Sequence, residues 1–147
     1  MKITFAADHG GFELKKTLIE WLTKQNFEVH DSGNLIYDPQ DDYPDYAIAA
    51  CKNLVKGIAD RAVIICGSGV GACVTANKIK GIRASVCHDS YSAHQGVEHD
   101  AMNVLCLGAR IIGSELAKEI VSAFIGAAFI EEDRFIRRLN KIKELEK

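Results

Sequence analysis

A cysteine followed by a glycine-rich turn is the feature of this sequence with the clearest chemical potential. Residues 61–66 form an apolar, strand-like run that ends at Cys66, and Gly67, Gly69 and Gly71 follow at alternate positions. A buried strand that leads through such a turn into a helix directs several backbone N–H groups at one point, which favours an anion or a developing oxyanion. The same surroundings favour the thiolate form of a neighbouring cysteine. We therefore interpret Cys66 as a reactive thiol.

Two other interpretations of this turn are available. Its glycines fall one residue short of the G-x-G-x-x-G dinucleotide fingerprint, the turn follows the third predicted strand, and no Walker lysine comes after it. Nicotinamide or flavin binding is therefore disfavoured. A tight strand-to-helix turn without any ligand is the plainer alternative. Three glycines in five residues carry an entropic cost, and this cost favours a nest for an anion or oxyanion.

The histidines provide candidates for acid–base chemistry but no metal-binding pattern. His88, His94 and His99 match neither H-E-x-x-H nor any other zinc spacing, and the chain contains no C-x-x-C pair. We expect no metal and no cofactor. His9 and His99 remain candidates for proton transfer or substrate contact.

Arg134 and Arg138 lie four residues apart, so on a helix they share one face. Such a pair is either the solvated basic end of a helix or a clamp for a phosphate group, since guanidinium groups bind phosphate in a bidentate manner. Their spacing alone leaves both interpretations open.

Strand-like and helix-like patterns alternate along the whole chain. Strands are predicted at 2–7, 27–30, 61–66, 82–87 and 103–107, and helices at 13–25, 44–56, 72–80, 90–98, 114–127 and 133–146. Apolar strands that alternate with helices indicate a parallel sheet covered on both faces. We predict a single domain, residues 1–147, with a Rossmann-like three-layer α/β/α sandwich and a five-stranded parallel sheet. Ligands bind at the carboxyl ends of such strands. Those ends carry Asp8 and His9, Cys66 to Gly69, His88 and Asp89, and Gly108 to Arg110.

The composition is ordinary for a globular protein and argues against several classes of partner. The chain has 147 residues, a net charge of −2 and 26% charged residues, which indicate neither a nucleic-acid nor a membrane partner. No apolar stretch approaches the ~18 residues of a spanning helix, and no basic leader precedes an apolar region. The five cysteines are odd in number, which favours reduced thiols and a cytoplasmic protein.

Several short motifs are distributed along nearly the whole chain. They are Ala7-Asp8-His9-Gly10-Gly11 with Glu13-Leu14-Lys15, Asp42-Tyr43-Pro44-Asp45-Tyr46-Ala47, Cys66-Gly67-Ser68-Gly69-Val70-Gly71, Ala76-Asn77-Lys78, Gly81-Ile82-Arg83-Ala84, His99, Asn103-Val104-Leu105, Gly108-Ala109-Arg110, Arg134 and Arg138. In these motifs the sequence resembles the type B ribose-5-phosphate isomerase family, which includes the galactose-6-phosphate isomerases of the lactose pathway.

The resemblance implies a cofactor-free aldose–ketose isomerase that interconverts ribose 5-phosphate and ribulose 5-phosphate through an enediolate. It also implies a homodimer or homotetramer with shared active sites, in which the helix at about 133–146 packs on a partner subunit. The implied catalytic residues are Cys66 as the base, Ser68 in the place usually held by Thr, and His99 with Asp8 for opening the sugar ring. The implied substrate-binding residues are His9, Tyr43, Gly67, Gly69, Gly71, Asp100, Arg110, Arg134 and Arg138.

Two positions depart from the family pattern. Asp100 stands where relatives usually carry Asn, and a carboxylate accepts hydrogen bonds but does not donate them. Phe135 stands where many relatives carry His, so we expect one lost polar contact and a more apolar pocket. A tetrulose 4-phosphate, allose 6-phosphate or galactose 6-phosphate is therefore an alternative substrate, and a non-catalytic phosphosugar-binding module is a further alternative.

Overall fold

The computed structural model describes the whole chain, residues 1–147. Five strands alternate with six helices along it. The strands are β1 (Lys2–Ala7), β2 (Glu28–Asp31), β3 (Arg61–Cys66), β4 (Ala84–Val86) and β5 (Val104–Gly108). The helices are α1 (Phe12–Thr23), α2 (Tyr43–Val55), α3 (Val70–Ala76), α4 (Ser90–Asp100), α5 (Ser114–Gly126) and α6 (Asp133–Glu144). None of these helices has the length and apolar character needed to cross a membrane.

All strand pairs are parallel, and the sheet order is β2-β1-β3-β5-β4. The three central strands are almost wholly buried because helices cover both faces. Helices α1, α4 and α5 pack on one face, and α2 and α3 pack on the other. The predicted Rossmann-like α/β/α sandwich with a five-stranded parallel sheet is confirmed.

Helix α3 and strand β4 differ most from the predicted boundaries. Helix α3 begins at Val70 and ends at Ala76, so the predicted range 72–80 is wrong at both ends. Beyond the helix, the Asn77 side chain donates to Ala84 O and accepts from Ala84 N, both at 2.9 Å. This amide bridge turns the chain directly into β4. Strand β4 has only three residues and pairs on one side alone, with β5.

Helix α4 has a side-chain cap at its first turn. Asp89 accepts a hydrogen bond from the Ser92 backbone N–H at 2.7 Å and is therefore the capping residue. The helix continues to Asp100, two residues beyond the predicted end at 98.

Candidate active site

A cavity of about 290 Å³ opens at the carboxyl ends of β1 and β3. Parallel strands end at the same edge of a sheet, and this geometry gathers residues that are far apart in sequence. The lining residues are Asp8, Tyr43, Cys66, Gly67, Ser68, Gly71, Arg110 and Ile111. All except Ile111 are among the residues singled out from the sequence.

Cys66 is buried, with 4% of its surface exposed, and it lines this cavity. The Gly69 backbone N–H donates to Cys66 Sγ at 3.1 Å. Gly69 can direct its amide there because it has a φ of +81°, in the left-handed region that favours glycine. A Cβ at this position would also lie 3.0 Å from the Leu107 carbonyl carbon. The glycine therefore orients the amide toward the sulfur.

A close contact with Tyr43 explains why residue 71 is a glycine. A Cβ on Gly71 would lie 2.5 Å from Tyr43 Cζ, so the tyrosine ring rests directly against the turn. The Arg110 side chain lies over Gly67, whose Cβ would meet Arg110 Cζ at 3.6 Å. Close packing is thus a second reason for glycine at positions 69 and 71, beside the anion nest that the sequence led us to expect.

His9 at the rim is paired with Asp41, a residue that the sequence did not single out. His9 Nδ1 lies 2.7 Å from Asp41 Oδ1, and the His9 backbone N–H donates to the same oxygen at 2.9 Å. The hydrogen bond to Asp41 raises the pKa of His9 above its ordinary value. Burial opposes ionisation of Asp41, but the two hydrogen bonds from His9 outweigh it and the pKa of Asp41 is lowered. The pair therefore favours the positively charged form of His9, next to Asp8 in the sequence.

A network of buried hydrogen bonds holds the Asp41 carboxylate in place. The Asn34 amide donates to Asp41 Oδ2 at 2.6 Å, and the buried Lys15 ammonium donates to Asn34 O at 2.6 Å and to Asp31 Oδ1 at 2.7 Å. Lys15 is one of the motif residues quoted above, but nothing in its spacing revealed that it is fully buried.

Asp8 is almost fully buried beside the cavity, with 7% of its surface exposed. Burial raises the pKa of Asp8, and this effect exceeds the opposing influence of the positive His9 and of the Gly10 N–H that donates to Asp8 Oδ1 at 3.0 Å. Asp8, His9 and Asp41 each offer a metal-ligand atom, and these atoms lie within 4.8 Å of one another. Because His9 and Asp41 already hydrogen-bond each other, we interpret the group as a charge-paired network.

Six predicted site residues do not line the Cys66 cavity: His9, Gly69, His99, Asp100, Arg134 and Arg138. His9 and Gly69 adjoin lining residues in the sequence, whereas the other four come from α4 and α6. Helix α4 leaves the carboxyl edge of the sheet after β4 and returns the chain to the amino edge before β5. Its 11 residues span about 16 Å at 1.5 Å per residue. Just beyond the helix, Asn103 O accepts from Ala62 N at the start of β3. Within one chain, His99 and Cys66 therefore lie at opposite edges of the sheet.

We call these four residues, with Gln95 and Phe135, the His99 cluster. The His99 and Phe135 rings stack with centroids 4.1 Å apart at an interplanar angle of 16°. The guanidinium carbons of Arg134 and Arg138 lie 4.5 and 6.0 Å from the centre of the Phe135 ring. Phe135 is 2% exposed, and its ring packs beneath His99. The expected effect of Phe135 on the substrate pocket stays a prediction.

Asp100 is exposed at the end of α4 and lines a second cavity, of about 330 Å³, beside β4 and α4. Arg83, Ser92 and Gln95 also line this cavity.

The guanidinium groups of Arg110 and Arg138 take part in no ion pair within the chain. Both are therefore available to an external anion.

Cys73 lies outside the Cys66 cavity, and the pKa of its thiol is unusually low. A hydrogen bond from the Cys106 side chain, with support from the Val86 backbone and the Asn77 amide, lowers the pKa of Cys73 to about 7. Cys73 is partly exposed on α3. By contrast, burial raises the pKa of Cys51 to about 11, as expected for a packing thiol. The sequence contained no signal for Cys73, because Cys106 reaches it only through tertiary packing.

The fold agrees with comparisons to known proteins. A sequence profile described as Ribose/Galactose Isomerase matches residues 3–142. The chain is 41% identical over 145 residues to ribose-5-phosphate isomerase B of Escherichia coli, covering 99% of this chain and 96% of that protein. It is 39% identical over 132 residues to D-erythrulose-4-phosphate isomerase of Pectobacterium atrosepticum, covering 88% and 85%.

A solved structure extends the similarity to three dimensions. Ribose-5-phosphate isomerase B of Mycoplasma genitalium with bound ribulose 5-phosphate superposes with a TM-score of 0.93 at 39% identity, covering 99% of this chain and 95% of that one. Fold, cavity and relatives together define a sugar-phosphate isomerase. The chain belongs to the ribose/galactose isomerase family.

Proposed function

We propose that this enzyme interconverts ribose 5-phosphate and ribulose 5-phosphate by proton transfer through an enediolate, without a cofactor. The observation that carries the proposal is that Cys66 lines one cavity together with Asp8, Ser68 and Arg110. The names of the Escherichia coli relative and of the ligand-bound Mycoplasma genitalium structure support the pentose phosphate as substrate.

In the proposed reaction, the Cys66 thiolate removes the proton from C2 of the open-chain aldose. The electron pair of the broken C–H bond forms the C1–C2 double bond of the enediolate, and the carbonyl oxygen becomes negative. Backbone N–H groups of residues 67–71 stabilise that oxygen, and one such donor contributes about 2.7–4 kcal/mol in comparable sites. The Ser68 hydroxyl moves a proton between O2 and O1, and Cys66 returns its proton to C1.

The phosphate takes no part in bond breaking, but holding it fixes the position of the reacting carbons. We assign this task to the His9 imidazolium and the Arg110 guanidinium at the rim, with Arg134 and Arg138 as further phosphate ligands. Tyr43 closes one side of the sugar pocket, where its ring rests on Gly71.

The separation of His99 from Cys66 within one chain supports a site made by two copies. We propose a homodimer, alone or paired into a tetramer, in which the His99 cluster of one copy faces the Cys66 cavity of the other. In this arrangement, helix α6 brings Arg134 and Arg138 to the partner. His99 then opens the furanose ring together with Asp8.

Mixing two inactive variants tests both the base and the shared site. Cys66→Ala and His99→Ala are each expected to lose at least about 100-fold in kcat for ribose 5-phosphate. In a symmetric dimer, random exchange of subunits places about half of the chains in mixed dimers, each with one intact site. Activity should therefore recover to about a quarter of the wild-type value. Mixed dimers without recovery would contradict a shared site, and a fully active Cys66→Ala enzyme would contradict the assigned base.

Asp100 favours a second candidate substrate. Its carboxylate stands where a donor amide is usual, and it lines the cavity that adjoins α4. A sugar phosphate with a hydroxyl donor at that point, such as a tetrulose 4-phosphate, allose 6-phosphate or galactose 6-phosphate, would be accepted there. Values of kcat/KM for these compounds and for ribose 5-phosphate, measured side by side, decide between them. Asp100→Asn should move the preference toward ribose 5-phosphate if the carboxylate determines it.

A further inference from the structure

Two side chains hold the His99 imidazole in one orientation. The Gln95 amide Nε2 lies 2.8 Å from His99 Nδ1, one helical turn away on α4. On the other side, the Phe135 ring stacks on the imidazole at 4.1 Å. Contact along one edge and across one face leaves the ring little freedom to rotate about its side-chain torsions.

The contact with Gln95 also selects a tautomer. The amide donates to Nδ1, so Nδ1 is the acceptor nitrogen and the neutral imidazole carries its proton on Nε2. The Nε2–H is the group of this ring that remains available to a ligand. An N–H held in one direction is suited to hydrogen-bond to an oxygen that becomes a leaving group and to stabilise the negative charge that develops on it.

We infer that Gln95 and Phe135 are positioning residues for ring opening, through their hold on His99. This inference rests on the proposed function, in which His99 opens the furanose ring. In that step the C1–O4 bond breaks and its electron pair goes to O4, where the His99 Nε2–H stabilises the developing charge by a hydrogen bond and a proton relayed through the Asp8 carboxyl neutralises it. The C1 hydroxyl loses its proton to the Asp8 carboxylate, and C1 becomes the aldehyde carbon.

The inference predicts different effects on two reactions of the enzyme, the conversion of ribose 5-phosphate and the hydrogen exchange of ribulose 5-phosphate. Ribose 5-phosphate enters as a closed furanose and needs the His99 step. Ribulose 5-phosphate carries its phosphate on the hydroxyl that would close a furanose ring, so it is open-chain and needs only the Cys66 step to form the enediolate. Exchange of its C1 hydrogen with solvent reports on that second step alone.

The test uses Gln95→Leu and Phe135→Leu in the full-length enzyme, after thermal melts confirm that each variant is folded. Conversion of ribose 5-phosphate is measured by steady-state kinetics, and exchange at C1 of ribulose 5-phosphate is measured by NMR in D₂O. We expect kcat for ribose 5-phosphate to fall about tenfold or more with KM changed less than about twofold. The exchange rate should stay within about twofold of wild type. Phe135→His keeps a planar ring at this position and should retain most of the activity.

Two matched substitutions control for packing and for the loss of a histidine contact. Phe124→Leu removes a buried phenyl ring from α5, outside the His99 cluster. Glu98→Gln alters the other pair on α4 with the same spacing, in which His94 Nδ1 lies 3.0 Å from Glu98 Oε2. Both control variants should leave the ratio of the two rates unchanged.

Equal losses in isomerisation and exchange would overturn the inference, because Gln95 and Phe135 would then support the fold in general. Unchanged isomerisation would overturn it as well. A wild-type enzyme that converts no ribose 5-phosphate would instead contradict the proposed function. The two failures are therefore distinguishable.

Discussion

His9 Nδ1 and Asp41 Oδ1 lie 2.7 Å apart, and the same carboxylate oxygen accepts the His9 backbone N–H. The loop that carries Asp41 thus determines the charge at the end of β1. Hydrogen bonding to Asp41 raises the pKa of His9, so its positive charge persists to a higher pH than that of an unpaired histidine. The favourable effect of this charge is complete at acidic pH and is lost as the pH rises through the raised pKa.

This pair predicts a pH-dependent affinity for phosphate. Competitive inhibition by inorganic phosphate should weaken as the pH rises through the pKa of His9, and Asp41→Asn should move that loss to lower pH. Inhibition constants measured between pH 5.5 and 9 provide the check, with Asp38→Asn in the same loop as the matched control. An Asp41→Asn profile that coincides with wild type would show that the pair does not act on the phosphate.

The contact between Gly71 and Tyr43 predicts a kinetic effect with little cost to the fold. The Cβ of Gly71→Ala would lie 2.5 Å from Tyr43 Cζ, so the tyrosine ring must leave the cavity wall. A ring at the end of a side chain moves easily, so we expect a stability loss of no more than about 1–2 kcal/mol and a KM raised several-fold. Gly113→Ala, which meets nothing within 4 Å, is the control. Adding Gly71→Ala to Tyr43→Ala should have little further effect, and full additivity would contradict the contact.

The burial of the Asp8 carboxylate predicts that Asp8→Asn raises the stability of the protein and lowers its activity. Burial raises the pKa of Asp8, which means that its ionised form is less favourable in the folded protein than in the unfolded chain. Asp8→Asn keeps an acceptor for the Gly10 amide and removes this cost. The Tm should therefore rise at pH 7, with a smaller gain at pH 4, where Asp8 takes up its proton more readily in the folded protein. Turnover of ribose 5-phosphate should fall by about 100-fold. An unchanged Tm at pH 7 would contradict the cost assigned to the buried carboxylate.

The lowered pKa of Cys73 predicts that an alkylating reagent modifies this thiol, which lies outside the Cys66 cavity, before the buried thiols. With its pKa lowered to about 7, the partly exposed thiol is substantially ionised at neutral pH. Iodoacetamide should modify Cys73 with a rate that reaches half its maximum near pH 7, and peptide mapping should find Cys51 and Cys106 unmodified. Cys73→Ser removes this labelling and serves as the reference. Modification of Cys106 before Cys73 would contradict the assignment.

The sequence predicted the sheet well because apolar strands carry a local signal. Strand β3 was placed with both ends correct, and the rule for parallel strands brought Asp8, Cys66 and Arg110 to one edge. The rule does not apply to His99, which lies at the far end of a helix that returns to the opposite edge. That position follows from the order of strand, helix and strand once the topology is known.

Other features depend on contacts between distant parts of the chain. Asp41 lies in a loop without periodicity, and its partners His9 and Asn34 come from different segments. The acidity of Cys73 comes from Cys106 on a neighbouring strand. No local pattern records such pairs, because they exist only after the chain has packed.

The distance between Cys66 and the His99 cluster has an evolutionary consequence. Around Cys66, backbone and ring atoms press so closely on Gly69 and Gly71 that few substitutions are tolerated. The His99 cluster consists of side chains on two helices, where Asp100, Arg134 and Arg138 have exposed surface. In the proposed shared site, mutation on α4 and α6 can therefore change which sugars are accepted while the residues around Cys66 stay the same. Asp100, one of the two departures from the family pattern, lies on the exposed surface of this cluster, whereas Phe135, the other, is buried beneath His99.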